Sequence, residues 1–134
     1  MLSRRMAALE ARDAHAFMGF YAPRFTTFEL GPPLQYLDGD PSNTSGVELW
    51  LESFEGPVKY EIRDLRCRSA GDLAYCHSLY RMIGTKVDGT KVDFWARQTL
   101  GLVRIGGEWK IEHSHLSAPF EMDGDNKAAL DLKP

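Results

Sequence analysis

Apolar residues at Leu2, Met6, Leu9, Phe17 and Phe20 recur at close to helical spacing, with Arg4, Arg5, Glu10, Arg12 and Asp13 mostly between them. A period near 3.6 gathers the apolar positions into one stripe for a core and turns the charged positions outward. The segment is predicted as an amphipathic helix or a pair of short ones, bent near Asp13-Ala14-His15. Tyr21-Ala22-Pro23 ends it, because the residue before a proline is pushed out of the α region and the ring cannot continue the hydrogen-bond ladder.

The pattern then changes. Phe25-Thr26-Thr27-Phe28-Glu29-Leu30 is β-branched and aromatic, Gly31-Pro32-Pro33 breaks it, and residues 34–37 offer a second short strand. Both read as edge strands or extended loop. Residues 40–46 are dense in turn formers, and Ser45 with Glu48 has the spacing of a capping box for a short helix over 47–54. Beyond Pro57 four long strands are predicted, at 58–68, 73–86, 91–105 and 109–119. The breaks at 70–72, 87–90 and 106–108 are short and contain glycine, as hairpin turns do, so the four strands form a meander. Residues 121–134 hold acidic groups, a glycine and one short Ala-Ala-Leu run, and read as a loose tail on a domain spanning 1–120.

Composition narrows the partners. At 134 residues, with 43% hydrophobic and 26% charged, the chain has the makeup of one folded domain with one core. A net charge of -3 with the two signs interleaved leaves no basic stripe for a phosphate backbone, so nucleic acid is not an expected partner. No stretch approaches the roughly 20 apolar residues of a membrane helix, and Met1 to Asp13 has no apolar signal core, so a cytoplasmic protein is expected. Cys67 and Cys76 are too far apart for a CxxC site and are expected to be reduced thiols in or near the core, with strand register left open.

Strands this long twist and curl, and one face must cover the helices, so the sheet should close around a pocket. This order of elements resembles the NTF2-like superfamily, and within it the SnoaL-like and ketosteroid-isomerase-like proteins. The resemblance is carried by Tyr21-Ala22-Pro23 before a strand, by Trp95-Ala96-Arg97-Gln98-Thr99, and by the closing run Trp109-Lys110-Ile111-Glu112-His113-Ser114-His115-Leu116-Ser117-Ala118-Pro119-Phe120. It implies an α+β cone in which N-terminal helices pack inside a strongly curved antiparallel to mixed sheet. It also implies a small hydrophobic or carbonyl/carboxylate ligand, no cofactor, and a homodimer formed through the open sheet face.

In that family frame Glu29 falls where a ketosteroid-isomerase-like enzyme places its general-base carboxylate, and its neighbours Phe28 and Leu30 would raise its pKa by desolvation. Against this stands a Glu29 on a solvent face or paired with an arginine. The position of the isomerase's protonated acid is occupied by Gly101 or a neighbour, so steroid isomerisation by that mechanism does not carry over. Strand periodicity puts His113 and His115 on one face with Trp109, Ile111 and Ser117, and puts Asp93, Trp95, Arg97 and Thr99 on one face of the preceding strand. Were both faces to look into the cup, two imidazoles, an Arg and an Asp would be placed to bind a carbonyl and move a proton.

The candidate catalytic set is therefore Glu29, His113, His115, Asp93 and Arg97, with Trp95, Tyr21, Phe28 and Trp50 against the ligand. The His113-x-His115 pair lacks the further ligands of a metal site, and none is expected. The leading function is a proton-transfer isomerase or lyase acting next to a carbonyl without a cofactor. A binding or assembly module without enzymatic activity is one alternative. A dehydratase or hydrolase in which Asp93 orients an imidazole is the other.

Overall fold

The computed structural model describes residues 1–134. Its elements are α1 (Leu2–Glu10), α2 (Ala14–Met18), β1 (Tyr21–Phe28), β2 (Tyr36–Gly39), α3 (Ser45–Glu52), β3 (Lys59–Ala70), β4 (Leu73–Thr85), β5 (Lys91–Ile105) and β6 (Glu108–Ser117). The bend between α1 and α2 falls where expected. Arg12 adopts φ 59°, and the Asp13 carboxylate accepts the Ala16 N–H at 2.8 Å, capping α2. Such a cap contributes about 0.5–2 kcal/mol. Arg12 reaches across to the Gly56 carbonyl at 2.7 Å and ties the bend to the segment before β3.

Six strands form one sheet in the order β2-β1-β6-β5-β4-β3. The meander from β3 to β6 is antiparallel as predicted, whereas β1 lies parallel to β6 and antiparallel to β2. The sequence reading differs here, since β1 already starts at Tyr21, ahead of the strand predicted from Phe25. Pro23 is tolerated because it lies in the irregular stretch between the Tyr21↔Ile111 and Thr26↔His113 pairings, where no ladder donor is needed. At α3 the cap position is Thr44, one residue before the expected Ser45. Its hydroxyl donates to Glu48 Oε1 at 2.7 Å, and the Ser45 hydroxyl donates to Asn43 instead.

The core lies between the helices and the concave face of the sheet. Leu9, Phe17 and Met18 pack against Leu100, Leu102 and Ile111, and Leu100 and Ile111 are completely buried. Each such side chain contributes about 1.5–3 kcal/mol through loss of apolar surface from water. Two bulges curl the sheet, one between Arg63 and Arg66 of β3 and one in the β5/β6 pairing at Gly101/Leu102.

The cysteine expectation is corrected. Gly71 at φ 60° and Asp72 make a tight turn that pairs Ala70 with Leu73, and counting back from it places Cys67 opposite Cys76, where they form a disulfide. Disulfides persist mainly in oxidising compartments, so cysteine usage no longer argues for a reducing one. No helix is long and apolar enough to cross a membrane. The tail folds back on itself: Glu121 N–H donates to the Lys127 carbonyl, Phe120 bridges Ala128, and Ala129 is buried.

Candidate functional site

Alternation along the strands decides which side chains enter the cup. On β4 the inward positions are Ser78, Tyr80 and Met82, on β5 Ala96, Gln98 and Leu100, and on β6 Ser114 and Leu116. From β1 come Tyr21, Phe25 and Thr27, with Glu29 just past its end, and from β3 come Tyr60 and Ile62. The helices add Arg5, Phe17 and Trp50, and the segment from Leu30 to Asp40 borders the mouth. Apart from Ser78, Ala96 and Leu100, these residues line a cavity of about 670 Å³ with mainly hydrophobic walls. That volume suits a small organic molecule, for which sites of about 300–1,000 Å³ are usual.

Glu29 lines the cavity but stays exposed to water, so the surrounding walls strip away only part of its hydration. Desolvation raises its pKa above the ordinary 4.5, while the Thr27 hydroxyl and the Arg5 charge pull it partly back. No cation lies within ion-pair distance of it. Burial also pushes the phenols of Tyr60 and Tyr80 above their usual value. Tyr60 is raised further by Tyr80, and each feels the negative charge of Glu29. Both phenols therefore remain protonated donors at neutral pH. The Tyr60 hydroxyl donates only to the weak acceptor Met82 Sδ, at 3.4 Å, and the Tyr80 hydroxyl makes no hydrogen bond to protein.

Arg5 is the unusual member. Its Nη2 donates to the Tyr21 hydroxyl at 2.9 Å, and its guanidinium carbon lies 4.4 Å from the Phe17 ring centre and 5.5 Å from that of Tyr21. Cation–π contacts of this kind supply about 0.5–2 kcal/mol. They hold the side chain but do not neutralise it. Nε is buried without a partner, which in general costs about 1–3 kcal/mol or more for a charged group.

Of the residues singled out from sequence, Glu29, Tyr21 and Trp50 line the cavity. His113, His115, Asp93, Arg97, Trp95 and Phe28 lie on the opposite face of the sheet, so the shared cup of imidazoles and Arg97 does not form. For β6 the reason is the bulge: Gly101 pairs with His113 and Leu102 with Ile111, leaving Glu112 as the extra residue. Ile111 is completely buried toward the core, and after the bulge the inward position passes to Ser114 rather than His113. For β5 the predicted grouping of Asp93, Trp95, Arg97 and Thr99 is real, but Ala96, Gln98 and Leu100 take the buried side.

On that outer face each group has local partners. Asp93 accepts two hydrogen bonds from Arg81, at 2.7 and 2.9 Å, which hold its carboxyl below the usual range. Arg97 donates to Ser117 at 3.1 Å, and the Phe28 ring sits edge-on to His113 and His115. A His–Asp pair is excluded by register. His115 is opposite Thr99, six residues along β5 from Asp93, a span of about 20 Å. No group of three His, Cys, Asp or Glu side chains is placed to hold a metal ion.

Arg5, Tyr60 and Tyr80 were not singled out. Arg5 carried a readable signal, since it is three residues after Leu2 and four before Leu9 and so shares their apolar stripe. Tyr60 and Tyr80 had none, because an aromatic on a strand looks the same whether it fills a core or lines a cavity.

The fold is shared with solved structures. An NTF2-like protein of unknown function from Pseudomonas putida KT2440 is similar at 34% identity and a TM-score of 0.84, over 99% of this chain and 91% of that one. A candidate calcium/calmodulin-dependent protein kinase II association domain from Xanthomonas campestris is similar at 22% identity and a TM-score of 0.73, over 92% and 84%. A candidate dehydratase of the NTF2-like family from Streptomyces avermitilis is similar at 15% identity and a TM-score of 0.73, over 87% and 89%. No curated protein matches the chain in sequence. The family model described as the SnoaL-like domain matches residues 1–121, and with helices, sheet and cavity all inside that span the chain belongs to the SnoaL-like domain family.

Proposed function

We propose that the chain is a cofactor-independent enzyme that moves a proton at a carbon next to a carbonyl, with Glu29 as the base. The observation that carries this reading is a carboxyl group with a raised pKa and no ion-pair partner, facing an apolar cavity of ligand size. The Glu29 carboxylate takes the α-proton, the C–H electron pair becomes the enolate, and the negative charge collects on the carbonyl oxygen. The O–H groups of Tyr60 and Tyr80 are the donors available to that oxygen. The proton then returns from Glu29 to the same carbon or to a conjugated one, which makes the net reaction an exchange or an isomerisation.

The test is hydrogen–deuterium exchange of 2-tetralone in D₂O, followed by proton NMR. Exchange well above the buffer rate with the wild-type chain, and its loss in Glu29→Gln, support the reading. Exchange at the buffer rate in the wild type, or full activity in the variant, sinks it and leaves a binding module. The homodimer implied by the resemblance would cover the outer face carrying Trp95, Arg97 and His115, and light scattering of the purified chain would decide it.

A further inference from the structure

Arg5 is 5% exposed, lines the cavity and has no carboxylate partner. The two carboxylates that share the cavity lining, Glu29 and Asp40, make no ion pair with it. Of its nitrogens, Nη2 is committed to Tyr21, Nε is buried without a partner, and Nη1 makes no hydrogen bond to protein. The Tyr21 oxygen accepts from Arg5, so its own proton is uncommitted. The ring contacts with Phe17 and Tyr21 orient the guanidinium plane. A planar cation held in place with spare donors, inside apolar walls, lacks only an anion, and arginine matches carboxylate oxygens better than any other side chain.

We propose that the cavity takes an aromatic or alicyclic carboxylic acid as its anion, the carboxylate docking on Arg5 Nη1 and the Tyr21 hydroxyl while the hydrocarbon body lies against Trp50, Phe25 and Tyr80. This specifies the ligand of the same cavity, yet it rests on binding alone and not on proton transfer by Glu29. A substrate anchored this way would present a carbonyl elsewhere on its frame to the carboxyl and phenol groups.

The experiment is a calorimetric titration of the full chain at pH 7 with naphthalene-2-carboxylate and its neutral isostere naphthalene-2-carboxamide. Wild type is expected to bind the carboxylate about tenfold or more tightly than the amide. Arg5→Met, which keeps the length of the stem, should bring the two affinities to within about twofold of each other. Glu29→Gln should keep the carboxylate preference while losing exchange, which separates this proposal from the proton-transfer reading. Equal affinities in the wild type, binding of neither probe up to millimolar concentration, or a preference that survives in Arg5→Met would overturn it. Should Arg5→Met fail to fold, the nitrogen NMR signals of the Arg5 guanidinium in the wild-type chain decide: a shift on adding the carboxylate but not the amide supports the site, and unchanged signals overturn it.

Discussion

His113 Nδ1 lies 3.0 Å from the backbone carbonyl of Thr26 and ties β6 to β1 on the face of the sheet turned away from the cavity. A carbonyl can only accept, so this nitrogen carries the proton and the contact is a structural cross-link between parallel strands. His113→Ala should cost about 1 kcal/mol of stability, read as a lower thermal midpoint. Ligand affinity should be unchanged, and a large loss of binding would mean that the imidazole reaches the cavity.

Glu29 should make stability depend on pH with a definite sign. Below 4.5 its carboxyl is protonated in both the folded and the unfolded chain. As pH rises past that value the unfolded chain ionises first, while desolvation keeps the proton on the folded one. The folded state then binds more protons, so this group's contribution to stability falls until pH passes the raised folded value. The charged and titratable groups that share the cavity with the carboxyl are Arg5, Tyr21, Tyr36, Tyr60, Tyr80 and Asp40. Of these Asp40 is held ionised by the Ser42 N–H and contributes little change above 4.5. Urea midpoints for wild type and Glu29→Gln between pH 4 and 8 should diverge in the variant's favour as pH rises, and parallel curves would contradict the shift.

Gly84 leaves room for Phe54. A Cβ there would meet the Phe54 ring at 2.9 Å, and that ring is itself packed edge-on against Trp50 and covered by Lys86 Nζ at 3.7 Å. Gly84→Ala is expected to destabilise by about 1–3 kcal/mol, as overpacking does. Because Trp50 lines the cavity, the same change should also shift the tryptophan fluorescence and weaken binding of a carboxylate probe.

The Cys67–Cys76 disulfide closes a loop with a sequence separation of 9. Loop-closure entropy assigns such a cross-link about 2–3 kcal/mol. Unfolding followed with and without a reducing agent should show a lower midpoint on reduction, and thiol titration of the denatured, unreduced chain should find no free thiol.

How far the site was legible depended on what each residue's neighbours could announce. Glu29 was reached through the family resemblance, which places a carboxylate after Tyr21-Ala22-Pro23, because a single glutamate beside aromatics is a weak signal by itself. Arg5 was visible in principle as a charge on an apolar stripe, although Arg4 beside it blurs the pattern. Tyr60 and Tyr80 depended on which side of a curved sheet they occupied and were not distinguishable from core aromatics. The side taken by His113 and His115 is not legible from strict alternation, because β6 contains one extra residue at Glu112.

Local chemistry along the chain was enough for the order of elements, the meander and the hairpin turns, since periodicity, proline geometry and glycine turns act over a few residues and need no distant partner. The resemblance in residues 109–120 added the cone. Tertiary structure alone decided which face each side chain took, because a single bulge at Glu112 inverts the parity of everything after it. It also decided that an arginine from the first helix and a glutamate beyond the first strand line one cavity. Their meeting depends on how far the sheet curls and how the helices seat inside it, which is the outcome of packing the whole core at once.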